Sequence, residues 1–373
     1  MITTKEILCQ EKINIDKGFF SEETHLEDVL FFDIETTGLS PGNSRVFLIG
    51  IIKKDRDDPF PVLLQFLAED NTENEEIALL KAFSAFAQKK KYLVHFNGIS
   101  FDVPYLSHRC RYLGLEQSFS SLCQIDLYRE LTRFPGFFSQ MPDHKQKSYE
   151  NLMGYPRTDQ LSGKEMINFY QIYVKSNDIK IQNMLFLHNR DDLKGMLSLL
   201  PLGYLKNMFS GSFSVREVRE IQESALEGYQ KRELLFFLEF PFSIPVRLTG
   251  VTDLCRISVE NSVGKIKMPL YEGTLKYFYP DYQNYYFLPY EDEAIHKSVA
   301  IYTDPSRRRK AKASDCYQKY RGTFVSAPGN LSIPVLKESY KSPASYALWP
   351  FRDMSPGFLR KYLLEILKYS RPV

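Results

Sequence analysis

Cysteine is scarce and unclustered, and its absence from any motif removes two structural classes. Cys9, Cys110, Cys123, Cys255 and Cys316 show no C-x-x-C spacing, so neither a disulfide framework nor a zinc cage is indicated. No apolar run reaches membrane-spanning length, and no membrane partner is expected. Met1-Ile2-Thr3-Thr4-Lys5-Glu6 lacks the charged-then-apolar build of a signal peptide, which makes the cytoplasm the expected compartment. Neither sign of charge dominates: 48 Lys and Arg stand against 46 Asp and Glu, and the net +2 selects no class of partner. Internal repeats and low-complexity tracts are lacking too. What is present, 373 residues of which 43% are hydrophobic and 25% charged, suits a globular protein of two domains with a sizeable core.

The chain is organised around Phe31-Phe32-Asp33-Ile34-Glu35-Thr36-Thr37-Gly38. An apolar run from Val29 carries two carboxylates to its end, and Thr-Thr-Gly breaks it. Side chains alternate along a strand, so Asp33 and Glu35 share a face. Two carboxylates that close repel one another unless a cation sits between them, and a hard divalent ion is the usual solution. A lone D-x-E arises by chance roughly once in a chain this long, so its weight depends on partners elsewhere.

Residues 1–27 read as a mixed, polar lead-in that packs on the following domain. Strands are expected at Val29–Glu35, Val46–Lys53 and Val62–Leu67, then a helix at Asn74–Gln88, where Ile77, Leu80, Phe83 and Phe86 recur at helical spacing. A strand at Tyr92–Phe96, a helix at Val103–Leu113 and a strand at Leu122–Tyr128 follow, with helices at Gly163–Lys175 and Ile179–Leu200. Antiparallel strands followed by strand–helix alternation describe an α/β domain with a mixed sheet. Ligands in such sheets bind beyond the carboxyl ends of the strands, where Asp33 and Glu35 lie. After Pro201 the composition shifts. A helix is expected at Ser212–Lys231, short strands from Glu233 to about Leu288 with a hairpin turn at Asn261–Gly264, a helix at Glu291–Tyr302 and a last helix at Pro356–Tyr369. This half reads as a mainly β (α+β) domain.

Further carboxylates fall where that reading places them. Asn97-Gly98-Ile99-Ser100-Phe101-Asp102 follows a strand and opens a helix, putting Asp102 near a strand's carboxyl end, although a helix-start carboxylate would explain it alone. In His188-Asn189-Arg190-Asp191-Asp192, His188 and Asp192 are four apart and share a helix face, where an ordinary i,i+4 pair is the plain alternative. Asp191 is expected to face solvent or cap a neighbouring group. Asp126 is explained equally well as a structural acceptor, and His95 and His108 as structural histidines.

D-x-E, N-x-x-x-F-D and H-x-x-x-D, in that order, resemble the three motifs of the DEDD exonuclease superfamily in its histidine variant. Val94-His95-Phe96-Asn97-Gly98 and the stretch from His188 look closest to the bacterial YprB-like ribonuclease-H-like domain family, many of whose members carry Tyr at the place of His188. The resemblance covers about residues 28–203. It implies a ribonuclease-H-like mixed sheet with flanking helices over 28–205 and leaves 206–373 without a match. It also implies that Asp33, Glu35, Asp102 and Asp192 hold two Mg²⁺ or Mn²⁺ ions, with Asp33 bridging, and that His188 is the general base. Thr36 and Asn97, inside the first two motifs, are expected to touch the nucleic acid. The expected activity is hydrolysis of RNA or DNA from a single-stranded 3′ end. An endonuclease, or a nucleic-acid-binding scaffold with little turnover, are the alternatives. Arg307-Arg308-Arg309-Lys310 opens the densest basic cluster. It reads either as a solvated face or as a backbone guide, with Tyr317 and Tyr320 available to stack on bases.

Overall fold

The computed structural model describes every residue except 11, 12, 14, 16, 17, 22, 117, 118, 120, 121, 160, 225–229, 330 and 371–373. Its contacts divide the chain into one unit of Met1–Asn207 with Ile244–Val246 and a second of Met208–Ser243 with Arg247–Val373.

The first unit is built on six strands: β1 (Ile2–Ile7), β2 (Val29–Thr36), β3 (Val46–Lys53), β4 (Val62–Leu67), β5 (Tyr92–His95) and β6 (Cys123–Asp126), in the order β1-β4-β3-β2-β5-β6. β2 is interior, antiparallel to β3 and parallel to β5. Val29, Leu30, Phe31 and Phe32 are therefore buried on both faces, which is why the run reads as continuously apolar. The helices are α1 (Glu73–Ala87), α2 (Asp102–Tyr112), α3 (Leu127–Leu131), α4 (Pro135–Phe138), α5 (Gln146–Leu152), α6 (Gly163–Ser176), α7 (Ile179–Leu199) and α8 (Tyr204–Phe209). Thr72 caps α1, and a Ser162–Glu165 capping box starts α6. Asn177, with φ 52°, ends α6, and Asp178 caps α7.

Two expectations change in this unit. The lead-in contains β1, an edge strand paired antiparallel with β4. Its Ile2, Thr3, Thr4 and Ile7 are β-branched, and Lys5 and Glu6 suit an edge that pairs on one side only. The run expected as a strand to Tyr128 ends at Asp126, whose carboxylate accepts from the amides of Tyr128 and Arg129 and so starts α3.

α7 crosses β2, β3 and β4. Asp33, Gly50 and Gln65 pair as one row across these strands, and Asn189 of α7 lies over the row. Gln65 Nε2 donates to Asn189 Oδ1 at 2.9 Å, and Asn189 Nδ2 donates to Asp33 Oδ2 at 2.9 Å. The helix comes this near only because position 50 has no side chain: a Cβ there would meet Asn189 Oδ1 at 2.0 Å.

The second unit departs further from expectation. It contains β7 (Ser214–Ser224), β8 (Gln230–Val251), β9 (Arg256–Phe278), β10 (Tyr285–Leu288), β11 (Glu293–His296), α9 (Lys297–Ala300), β12 (Arg309–Lys310), β13 (Tyr317–Ser326), β14 (Tyr346–Leu348) and α10 (Pro356–Tyr369). One sheet has the order β14-β13-β9-β8-β7 and another β11-β10-β12. The helix expected over 212–231 is the strand β7, and residues 225–229 lie outside the described residues. A bulge between Val215 and Glu217 shifts the alternation, so Val215 and Val218 share a face at a spacing of three, which imitates a helix. The hairpin expected at Asn261–Gly264 is instead the middle of a 23-residue strand, with Asn261 at φ 52°. The helix expected from Glu291 is β11 followed by the single turn α9. The last helix forms as expected, capped by Ser355, and Tyr362 donates its hydroxyl to the Ser326 carbonyl at 2.6 Å.

The row over Gly50 makes a direct prediction. Gly50→Ala forces α7 away from the sheet and should destabilise the protein by about 1–3 kcal/mol in urea unfolding, the usual cost of overpacking. Gly42→Ala, where a Cβ meets nothing within 4 Å, is the control and should leave stability nearly unchanged.

Candidate active site

Asp33 and Glu35 leave β2 on the face that α7 covers, while Ile34 between them is buried on the other. A register shift between Glu35 and Thr36 ends regular pairing with β3 just beyond the two acids. From α7, His188 and Asp192 project one turn apart. His188 Nε2 lies 3.2 Å from Asp192 Oδ2 and 3.4 Å from Glu35 Oε1. Its Nδ1 is 2.6 Å from Asp159 Oδ2, so the buried Asp159 accepts the Nδ1 proton and turns Nε2 toward the other two acids. The candidate ligand atoms of Glu35, His188 and Asp192 all lie within 4.8 Å of one another, a spacing that can hold a metal ion.

The electrostatics extend this trio to Asp33 and Asp102. Burial, then repulsion from Asp192, Glu35 and Asp102, holds Asp33 well above the ordinary carboxylate range, although Asn189 opposes this. Glu35 is raised in the same way, by burial and then by Asp192, Asp102 and Asp159, with Arg157 pulling down. Asp102, buried at the start of α2, is pushed up to about 7 chiefly by burial, against hydrogen bonds from its own amide and that of Ile34.

The arrangement differs from the expected one in a specific way. Four carboxylates were the expected ligands and His188 a base beside them; the closest metal-sized group among the described residues joins His188 to Glu35 and Asp192. Asp33 and Asp102 are neighbours in charge, outside that group.

Sequence reasoning also missed the groups that hold the site together. Asn189 bridges Gln65 to Asp33, and Asp159 orients His188. Arg157 donates from Nη2 to Asp192 Oδ1 at 2.6 Å and from Nη1 to Glu150 Oε2 at 3.0 Å. Gln146 donates from Nε2 both to Glu150 and to the Asp192 carbonyl. Asn189 stood inside the third motif, and its place beside His188 was the available signal. Arg157 and Asp159 lie on the stretch between α5 and α6, where no periodicity marks them.

The remaining predicted residues have identifiable partners. Asp191 is buried and caps the 157–159 stretch, accepting from the amides of Thr158 and Asp159 at 2.8 Å each. Asp126 accepts from the amides of Asn97 and Ile99 and has the structural role weighed above. His95 is buried: Nδ1 accepts from the Gly98 amide, Nε2 donates to Gln124, and burial lowers its pKa. Asn97 is exposed at φ 62°, while Thr36 is buried and donates its hydroxyl to the Gly38 carbonyl. In the second unit, Arg307, Arg308 and Arg309 lie over the rings of Tyr290, Tyr286 and Phe287 at 5.2, 5.0 and 4.5 Å. Arg309 is paired with Asp315, and Lys310 is exposed. Tyr317 is buried with its hydroxyl donated to Asp292, which corrects its expected availability for stacking; Tyr320 is half-buried.

Asp102 gives a pH prediction. Its folded-state value of about 7 lies above the ordinary 3.8, so its contribution to stability is full below about 4 and is lost as pH rises through 7. In EDTA, the melting temperature of Asp102→Asn should therefore gain on the parent progressively between pH 4 and 7. A difference that stays flat across this range would contradict the assignment.

Residues 30–202 match the family described as the RNase_H superfamily. No curated protein matches the chain. Among solved structures, the family B DNA polymerase of the hyperthermophilic archaeon Pyrobaculum calidifontis is 18% identical over 69% of this chain, with a TM-score of 0.36. E. coli exonuclease I in complex with a dT13 oligonucleotide is 12% identical over 58% of this chain, with a TM-score of 0.32. The chain spans 35% of that polymerase and 56% of that exonuclease. The family match over residues 30–202 and the mixed sheet give the first unit a ribonuclease-H-like fold, and a mainly β region follows it.

Proposed function

We propose that this chain is a metal-dependent nuclease that hydrolyses phosphodiester bonds in RNA or DNA. The observation that carries the proposal is the convergence of Glu35, His188 and Asp192 beside Asp33 and Asp102, with Asp33, Glu35 and Asp102 driven toward neutrality by burial and by neighbouring carboxylates. Acids outnumber the single guanidinium of Arg157 in this group, and its donors are carboxylate oxygens with one imidazole and no thiolate. That set suits Mg²⁺ or Mn²⁺. Asp33, Glu35, Asp102 and Asp192 would hold two ions, which supply activation of water and stabilisation of the leaving oxygen. His188 takes the proton of the attacking water at Nε2, and Asp159 stabilises the imidazolium through Nδ1. The resemblance of the three motifs to the DEDD set supports a 3′→5′ exonuclease of the YprB-like type.

On this reading residues 28–205 are the hydrolytic domain and 206–373 grip the substrate. Charge supports the division: residues 1–207 carry 24 Lys and Arg against 28 Asp and Glu, whereas 208–373 carry 24 against 18. Arg307, Arg308 and Lys310 are the groups proposed to meet the phosphate backbone, as Arg309 is already paired with Asp315.

A single set of assays tests the reading. Purified protein should degrade a 5′-labelled single strand to a descending ladder with Mn²⁺, stop in EDTA and spare a circular strand. His188→Ala should lower kcat about a hundredfold or more. Alanine at both Arg307 and Arg308 should lessen the log–log salt slope of binding by about 1.4. Undiminished hydrolysis by Asp33→Asn would sink the site, and rapid opening of the circle would make the enzyme an endonuclease.

A further inference from the structure

The acidic site contains a cation to which the hydrolytic scheme gives no task. Arg157 has a side chain only 8% exposed, and its guanidinium faces three carboxylates. Nη2 meets Asp192 Oδ1 at 2.6 Å and Asp159 Oδ2 at 3.3 Å, and Nη1 meets Glu150 Oε2 at 3.0 Å. Its Nη1 and Nη2 are bonded to carboxylates, and its Nε is buried with no hydrogen-bond partner among the described residues. Glu150 alone, fully buried and also bound by Gln146, would suffice as an anchor. Nη2 nevertheless reaches the acid whose other oxygen faces His188.

The two oxygens of Asp192 are thus divided between a permanent cation and the metal-sized group. A divalent ion bound at Asp192 would meet Arg157 as a like charge a few ångströms away, in a buried setting where such repulsion is weakly screened. Without an ion, Arg157 is the charge that keeps Asp192 aimed at Glu35 and His188 despite their crowding. We propose that Arg157 is the resident counter-cation of the site: it neutralises Asp192 before metal arrives and, as a like charge, weakens divalent-ion binding once it does. This inference rests on the metal-site reading above.

A counter-cation and a structural clamp separate in a metal titration. Removing the charge should tighten binding, whereas removing a mere structural clamp should weaken it. The test is calorimetric titration with Mn²⁺ of the parent, Arg157→Lys, Arg157→Gln and the double variant Glu150→Gln/Arg157→Met. The double variant leaves no unpaired buried Glu150 and guards against misfolding. Circular dichroism shows which variants fold. The charge-removing variants that fold should bind Mn²⁺ at least about tenfold tighter than the parent, and Arg157→Lys, which keeps the charge, should stay within about threefold. Their melting temperature should also rise more on adding Mn²⁺ than the parent's does. Unchanged or weaker binding, or failure of both charge-removing variants to fold, overturns the inference. A parent that binds no Mn²⁺ overturns the metal reading itself, and the two failures are thereby told apart.

Discussion

The mutual repulsion of Asp33, Glu35, Asp102, Asp159 and Asp192 is the constraint on which the rest of this site depends. Carboxylates withdrawn from water are costly unless paired or hydrogen-bonded, and each of these five has a dedicated answer. Asn189 donates to Asp33, and backbone amides hold Asp102. Asp159 takes the His188 proton and the Leu161 amide, which lower its pKa against the effect of burial. Asp192 has Arg157. Glu35 has the weakest answer, a 3.4 Å approach to His188, and remains well above the ordinary carboxylate range. The unrelieved cost of ionisation is therefore greatest at Glu35 and Asp33, at the exit of β2, where a bound cation would relieve most of it.

Backbone geometry makes this crowding possible. The close seat of α7 on the sheet puts Asn189 over Gly50, and the second close approach, at Gly195, admits Glu150 beneath the same helix: a Cβ there would meet Glu150 Oε1 at 1.8 Å. One helix thus carries His188, Asn189, Asp191 and Asp192, and it fixes them against two separate layers. Displacing it by even a side chain's width would scatter hydrogen bonds that together orient the acids.

How legible this was in the sequence depends on the range of the interaction. The strand of Asp33 and Glu35 was readable because an interior strand buries both faces and leaves an unbroken apolar run. The His188–Asp192 pair was readable because i,i+4 spacing is a property of the helix itself. Arg157 and Asp159 were not, because their partners lie 35 and 29 residues away and no local period links them. The strand β1 was passed over because an edge strand needs little apolar content. In the second unit a bulge gave β7 the apolar spacing of a helix, and Asn261 looked like a turn where β9 only bends. Local pattern predicted the sheet that positions the acids; the network that makes them tolerable required the tertiary structure.

The most direct test of the account is anomalous scattering from crystals grown with Mn²⁺. The account predicts Mn²⁺ peaks among the carboxylates of Asp33, Glu35, Asp102 and Asp192, two ions in all. Saturating Mn²⁺ that leaves these acids without a peak, and His188 still against Glu35 and Asp192, would contradict it.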